Sequence, residues 1–554
     1  MIIDANDPIT LSLQPADICI IGSGAAGITI ALELIDSGLN VVLIESGNFK
    51  SDAKTQALYK GSVADENLHS PPDKYRQRSF GGSTAIWGGR CMPFDPIDFE
   101  FRPDMPESGW PFSIDALTPY YPRANKLCEA GSFEYVSERA FEDPIDPIMK
   151  GFQNINFSTN TLERFSCPTN FGKRYVNKLA NAKNIRVVLN CNVTSIELAT
   201  GTKYVDYLNA STLSGKRFRI SARKFIIAAG GLETTRLLLA SRSQKANGIG
   251  NEFDQVGRYY MCHIAGTIGT LRFHGGGETV HHGYDISKEG IYCRQRIALK
   301  PALQRNLGIG NFIARLHHPR ITNPDHGSSI LSLLFLAKHL IPYEYAKRLH
   351  DGVKVSTSAW FKHIRNVIFR PFDAISFALH ILRDRKLSAR KFPSIIIKSP
   401  GGIYSIDFHA EQAPNPASRV TINPNELDHL GMPKLHIDWR HLPKDEETVK
   451  KALALLAKDI LESGIGELEY SEDEVIREIT RYGAYGGHHI GTTRMGKDPE
   501  RSVVDPNCRV HSTENLYIAS SSVFPTSSQA NPTLTIVALS LRLANHIKYI
   551  EGLV

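Results

Sequence analysis

Three short stretches of this 554-residue chain carry residue types able to do chemistry. The first, Gly22-Ser23-Gly24-Ala25-Ala26-Gly27, ends an apolar run from Asp17 and opens a helical stretch, Ile28 to Ser37. The next apolar run, Asn40 to Ile44, ends in Glu45, 18 residues beyond Gly27. Strand, tight turn, helix and acidic residue at this spacing are the fingerprint of a dinucleotide-binding βαβ unit. The glycines let the backbone approach a pyrophosphate at the helix N-terminus, where free N–H groups and the dipole favour an anion. Glu45 is then placed to accept from ribose hydroxyls. NAD and FAD share this fingerprint, so it does not choose between them.

The second stretch bears on that choice. Between Arg78 and Arg90, four glycines, among them Gly81, Gly82 and Gly88, surround Ser83, Thr84 and Trp87. This composition suits backbone lying against a flat, phosphate-bearing ligand. The third stretch runs from Gly483 through Gly486 and Gly487 to His488. A neutral imidazole titrates in the range that suits a base near neutral pH, although a histidine taken alone is as readily structural.

These stretches need a large frame. At 61.5 kDa the chain holds several modules or one two-domain enzyme, and 42% hydrophobic residues against 22% charged ones exclude disorder and fibrous repeats. No apolar run approaches the roughly 20 residues of a membrane span. The first positive side chain is Lys50, so the basic region of a secretory signal is missing and a cytoplasmic start is expected. Eight scattered cysteines without a C-x-x-C pair read as reduced core thiols, with neither disulfide scaffold nor zinc ribbon. The pairs His281-His282 and His317-His318 lack ligand spacing and read as surface residues, so no metal is expected.

The motifs taken together resemble the glucose-methanol-choline (GMC) family of flavin oxidoreductases, within it the branch of pyranose oxidase and bacterial sugar or glycoside dehydrogenases. Besides the two glycine segments, the resemblance rests on Ser108-Gly-Trp110-Pro-Phe, Ile226-Ile-Ala-Ala-Gly230-Gly-Leu-Glu233 and Val256-Gly-Arg258-Tyr-Tyr-Met-Cys-His263. Further on it includes Glu411-Gln412, His488-His-Ile-Gly-Thr492 and Ala530-Asn-Pro-Thr-Leu-Thr535. It implies an α/β fold: a Rossmann-type FAD-binding domain, discontinuous in sequence (1–120, 165–260 and 488–554), a connecting segment (121–164) and a mixed-sheet substrate domain (261–487). It also implies oxidation of a CH–OH group, a sugar or glycoside hydroxyl before a lipophilic alcohol or sterol, with hydride transfer to the flavin. A lyase that keeps flavin without redox use remains an alternative.

In that reading His488 is the base and Asn531 holds the substrate oxygen. Pro532 and Thr533 begin a long apolar helix, Thr533 to Ile547, whose N-terminus faces the flavin. Val193, in a strand from Ile185 to Ile196, contacts adenine, and Ala229 and Gly230 border the AMP half. His489 is a supporting residue. Ile86 stands where pyranose oxidase has the histidine that attaches its flavin, so the FAD is expected to be non-covalent. Ser520 replaces an aspartate frequent in the family. The electron acceptor stays open among oxygen, a quinone and a redox protein, and no nucleic-acid partner is expected.

Between Ile330 and Phe392, twelve Lys/Arg face four Asp/Glu, a local +8 that leaves the rest of the chain near neutrality. This insert reads as amphipathic helices broken by Pro342 and Pro371. Two readings of it stand: a lid packed by its apolar side, or a basic surface lying in a bilayer interface. In the second, the protein is a membrane-surface one, and in its extreme form the flavin is vestigial. Elsewhere in the substrate region, strands are expected at Ile395 to Ile397, Tyr404 to His409, Arg419 to Ile422 and Lys434 to Trp439.

Overall fold

A computed structural model describes residues 1–7, 16–338, 355–388, 390–394, 396–399, 401–482 and 487–553. The apolar run before Gly22 forms strand β2 (Ala16–Ile21), and helix α1 (Ala25–Glu33) begins inside the glycine segment, three residues before the apolar pattern predicts it. Gly22 has φ +102, and a Cβ there would lie 2.6 Å from the Ala228 carbonyl oxygen. A Cβ on Gly27 would lie 1.9 Å from the Gly22 carbonyl oxygen, so both glycines are required for helix and sheet to close on the turn.

Strand β2 lies between β3 (Val41–Ile44) and β7 (Arg217–Ile227), in a sheet completed by β1 (Ile2–Asp4), β4 (Ile185–Leu189), β5 (Asn192–Leu198), β6 (Val205–Ser211) and β12 (Leu516–Ile518). The order is β1-β4-β3-β2-β7-β6-β5, with β12 also on β7. All strands from β1 to β7 in that order pair in parallel, while β7-β6-β5 is an antiparallel meander. β7 therefore serves twice: its first half pairs with β6, and its last residues, Phe225–Ile227, lie between β2 and β12. Helices α2 (Phe171–Asn181) and α8 (Thr533–Ile550) pack against α1.

A second, antiparallel sheet has a separate apolar core. Its order is β11 (Gly466–Glu469), β8 (Ile264–Phe273), β10 (Ile403–Ala410), β9 (Phe312–His317), then Ile297–Leu299 and Phe157–Ser158. Helix α7 (Pro443–Glu462) buries Val449, Ala452, Leu453, Leu456 and Ile460 in the same core cluster, the i, i+3, i+4, i+7, i+11 stripe of an amphipathic helix. Each of the Val, Leu and Ile side chains contributes about 1.5–3 kcal/mol by leaving water.

The single strand expected from Ile185 to Ile196 is two strands. Asn190, at φ 57, turns the chain between them, a left-handed position that asparagine tolerates. Strands form at Arg419–Leu427 and Pro433–Asp438, the latter pairing with Gly61–Val63. Ile395 lies outside the described residues, and Ile396 and Ile397 form no strand. Only one member of each histidine pair, His281 and His317, reaches the surface. His282 and His318 are buried, and burial pushes both imidazoles well below their ordinary pKa. All eight cysteines are free, and seven are buried; Cys167 is partly exposed.

The insert supplies α4 (Ser329–Leu336), α5 (Thr357–Phe369) and α6 (Pro371–His380), with Pro371 starting α6 as expected and Pro342 outside the described residues. His363 is buried, its ring stacked on Phe335 at 4.2 Å and its Nδ1 3.0 Å from the Ser332 hydroxyl. Among the described residues, no helix is long and apolar enough to cross a membrane.

Candidate active site

The chain around His488 runs extended beside residues 259–263. Met261 and Ile490 exchange backbone hydrogen bonds of 2.9 and 3.1 Å, and a Cβ on Gly491 would lie 2.3 Å from the Tyr259 carbonyl oxygen. A Cβ on Gly487 would lie 2.6 Å from that of Tyr75. Glycines on either side of His488–Ile490 thus allow this close approach, and Gly483 and Gly486 lie outside the described residues. In an extended segment adjacent side chains point opposite ways. His488 turns to His263 and Asn531, and His489 turns to Tyr260.

The hydrogen bonds fix the protons. Nε2 of His263 is 3.1 Å from the Ser527 carbonyl oxygen, which can only accept, so this nitrogen carries the hydrogen. Nδ1 of His263 is then an acceptor, and at 2.7 Å it receives the Nδ1–H of His488. Consequently the Nε2 lone pair of His488 is on the far side, where the Asn531 Nδ2 donates to it at 3.0 Å. Burial lowers the His263 pKa to about 4, so His263 stays a neutral acceptor in the working range.

His489 belongs to a different network. His69 donates from Nδ1 to the Ser70 carbonyl oxygen and accepts at Nε2 from the Tyr260 hydroxyl at 2.8 Å; His489 Nδ1 donates to the same hydroxyl at 2.6 Å. His69, Cys262 and His489 bring possible metal-ligating atoms within 4.8 Å of one another, but the Tyr260 hydroxyl occupies the space among them. No local signal announces this set, because its members come from three distant segments.

The loop that carries Asn531 is held from beneath. Thr526 donates to the Asp98 carbonyl oxygen at 2.8 Å and accepts from the Trp110 indole at 2.9 Å; Gln529 donates to Asp95 at 3.0 Å. Glu411 forms a buried bidentate pair with Arg102, both contacts 2.6 Å. Gln412 donates its backbone N–H to Ser527 at 2.9 Å and accepts at Oε1 from Trp439 and from the backbone of Cys262. One glutamine thus ties the strand leading to His263 to the loop leading to Asn531. Asp98 lies beside Glu411 and Asp95, and burial with these like charges pushes its carboxyl far above the ordinary range.

On the sheet side, the two glycine segments meet. Gly81 donates its N–H to the Ser23 carbonyl oxygen at 2.9 Å, and a Cβ on Gly82 would lie 2.9 Å from the Cα of Gly24. Positions 24, 88 and 230 open into space large enough that a Cβ would meet nothing within 4 Å. No side chain caps α1, α3 (Gly230–Ala240) or α8, which leaves their first N–H groups for an anionic or polar ligand. Gly22, Ala25, Ala26 and Gly27 form the first of these ends, Ala229 and Gly230 the second, Pro532 and Thr533 the third.

The Glu45 oxygens accept from Ser23, Ser46 and Gly47, which fills their capacity until the hydroxyls rotate. Thr84 accepts from the backbone of Phe171 at 3.0 Å, the Trp87 indole donates to the Thr169 carbonyl oxygen at 2.9 Å, and Ile86 is exposed. Val193 is buried in β5. Glu233 joins α3 to the chain entering the second glycine segment through Arg76 and Arg78 and pairs with Arg236 within α3, and these charges hold its pKa at about 2 despite burial. Two uncapped helix ends beside an open glycine turn fit the diphosphate of a dinucleotide, and the composition of the second segment fits its flat ring system.

Comparisons with known proteins agree with this arrangement. The family described as pyridine nucleotide-disulphide oxidoreductase matches residues 16–260, and the GMC oxidoreductase family matches residues 414–540. The chain is 36% identical to dehydrogenase str4 of Strobilurus tenacellus, over 98% of this chain and 96% of that one. It is 23% identical to the 6'''-hydroxyparomomycin C oxidase of Streptomyces lividus and 24% identical to the fructose dehydrogenase large subunit of Gluconobacter japonicus, each over 96% of this chain and, respectively, 91% and 97% of those proteins. Pyridoxine 4-oxidase from Mesorbium loti shares the fold, with a TM-score of 0.58 and 16% identity over 96% of this chain and 99% of that one. By the GMC family match and the 36% identity over nearly its whole length, the chain belongs to the GMC family of FAD-dependent oxidoreductases.

Proposed function

We propose that the protein oxidises the CH–OH group of a sugar or glycoside, with His488 as the base. The observation that carries this reading is the fixed tautomer of His488, which presents an Nε2 lone pair beside the Asn531 amide. Bound FAD supplies the hydride acceptor, at N5. His488 Nε2 takes the hydroxyl proton, and the resulting imidazolium keeps its Nδ1–H on His263, a neutral acceptor that strengthens as the donor becomes charged. The Asn531 Nδ2, released as Nε2 is protonated, donates to the substrate oxygen. The α8 N-terminus favours negative charge in front of it by roughly 1 kcal/mol. Residues 1–120, 165–260 and 488–554 would hold the cofactor, and 261–487 would shape the substrate side, with 121–164 connecting them. The sugar class is supported by the relatives named as acting on fructose and on an aminoglycoside.

Anaerobic mixing with sugars, glycosides and long-chain alcohols tests this reading. A sugar or glycoside is expected to bleach the flavin band; bleaching by lipophilic alcohols alone would move the substrate class, and none by any alcohol would refute oxidation. Turnover with oxygen, a quinone or a redox protein then identifies the acceptor. The attachment is read separately. Because Ile86 offers no nucleophile before Trp87, acid precipitation is expected to release the flavin into the supernatant, and flavin remaining in the pellet would show a covalent link.

A further inference from the structure

The α5–α6 hairpin turns its apolar side outward. The inner face of α5 carries His363 onto α4, while Phe361, Ile364 and Ile368, at i, i+3 and i+7, are exposed. Phe372, Ile375 and Leu379 repeat that spacing on α6, again exposed. At the corner between the helices Phe369 is 78% and Phe372 80% exposed. Single exposed apolar residues are ordinary, but an exposed apolar stripe on each of two consecutive helices, with Phe369 and Phe372 bare at their junction, marks a surface that another phase or molecule covers.

The charges say what covers it. Lys362, Arg365 and Arg370 flank the stripes, Lys362 being shared with Asp325 at 3.0 Å, and within 356–388 the only acids are Asp373 and Asp384, the latter paired with Arg383. α5 and α6 carry Lys362, Arg365 and Arg370 against Asp373 alone, so the surface beside the exposed stripes is net cationic, within a 330–392 insert of net +8. A second copy of the chain seated here would set two cationic rims against each other. We propose that α5 and α6 lie in the interface of an anionic lipid bilayer, with the Phe369–Phe372 corner among the acyl chains and the flanking cations at the headgroups. A cleft of about 990 Å³ between α6 and residues 281–284 is lined in part by Leu379 and Leu382, so it borders the same helix.

The test uses the full-length, flavin-loaded protein and vesicles of phosphatidylglycerol and phosphatidylcholine in equal parts. The protein is expected to sediment with them at low salt, to be released as salt shortens the Debye length, and to stay in the supernatant with phosphatidylcholine alone. The variant Phe361→Ser/Ile368→Ser/Phe372→Ser is expected to lose at least about 100-fold in partitioning, given what three such side chains gain on leaving water. Its flavin content should remain unchanged, which separates lost docking from lost folding. Arg365→Glu/Arg370→Glu should remove the salt-sensitive part. Wild-type protein remaining in the supernatant at low salt, or sedimentation equal on neutral and anionic vesicles, would overturn the proposal. So would a stable dimer that the triple serine variant makes monomeric, since the face would then belong to a second copy.

Discussion

His488→Ala is expected to keep its flavin and to lose at least about 100-fold in the rate at which an alcohol reduces it, the scale of a positioned base. The loss should be seen in anaerobic single turnovers, where cofactor content and chemistry are read from the same absorbance trace. His263→Leu should be milder and differently shaped. It removes the acceptor of the His488 Nδ1–H, a bond of about 1.5–3 kcal/mol once the imidazole is charged, so the reduction rate should fall about tenfold to 100-fold. Because the lost bond favours the protonated base, the acid limb of the rate profile should move to lower pH, a displacement that a merely structural role would not produce. His489→Ala should leave the rate close to wild type and cost stability through Tyr260 and His69. Equal rate losses for His488→Ala and His489→Ala would reject the assignment of the base.

Acid should unfold this protein steeply. Burial holds the imidazoles of His69, His263 and His326 at about 4, and those of His282, His318 and His489 well below the ordinary value. All six are neutral in the folded chain, and in the unfolded chain they take up protons below about pH 6.5. Where the unfolded state binds more protons, stability rises with pH. This contribution is therefore complete above about 6.5 and is lost as pH falls through 4. Asp98 and Asp445 act in the opposite sense: burial raises both carboxyls, that of Asp445 to about 7, so their contribution is lost as pH rises. The histidines outnumber them, leaving a slope of a few kcal/mol per pH unit near pH 5. Denaturant midpoints measured from pH 4.5 to 7.5 should climb throughout the lower half of that range. A flat profile there would mean that these histidines exchange protons with solvent in the folded state.

What could be read from the sequence is what local spacing encodes. Gly27 is required by the Gly22 carbonyl five residues earlier, a contact that local spacing encodes, so strand, turn, helix and Glu45 were all legible, although Gly22 itself answers to Ala228 far along the chain. The same holds for the helix after Pro532. Asn190 broke a strand that apolar pattern alone ran on to Ile196, because a single left-handed residue leaves no trace in hydrophobicity. His282 and His318 looked like surface residues since polarity predicts exposure, yet tertiary packing supplied them with buried surroundings. His263 stood inside a recognised motif without a role. Its meaning required the contact with His488, 225 residues away, and no one-dimensional pattern records which imidazole nitrogen bears a hydrogen.

The double service of β7 reaches into how the chain is made. Its last residues, Phe225–Ile227, have β2 on one side and β12 on the other, and β12 lies nearly 300 residues downstream. α8, which covers α1, comes later still. A ribosome therefore releases a half-built nucleotide fold in which β7 keeps a bare edge while all of the second sheet except Phe157–Ser158 is synthesised. During that interval the bare edge of β7 is the part of the nascent chain that a chaperone must cover.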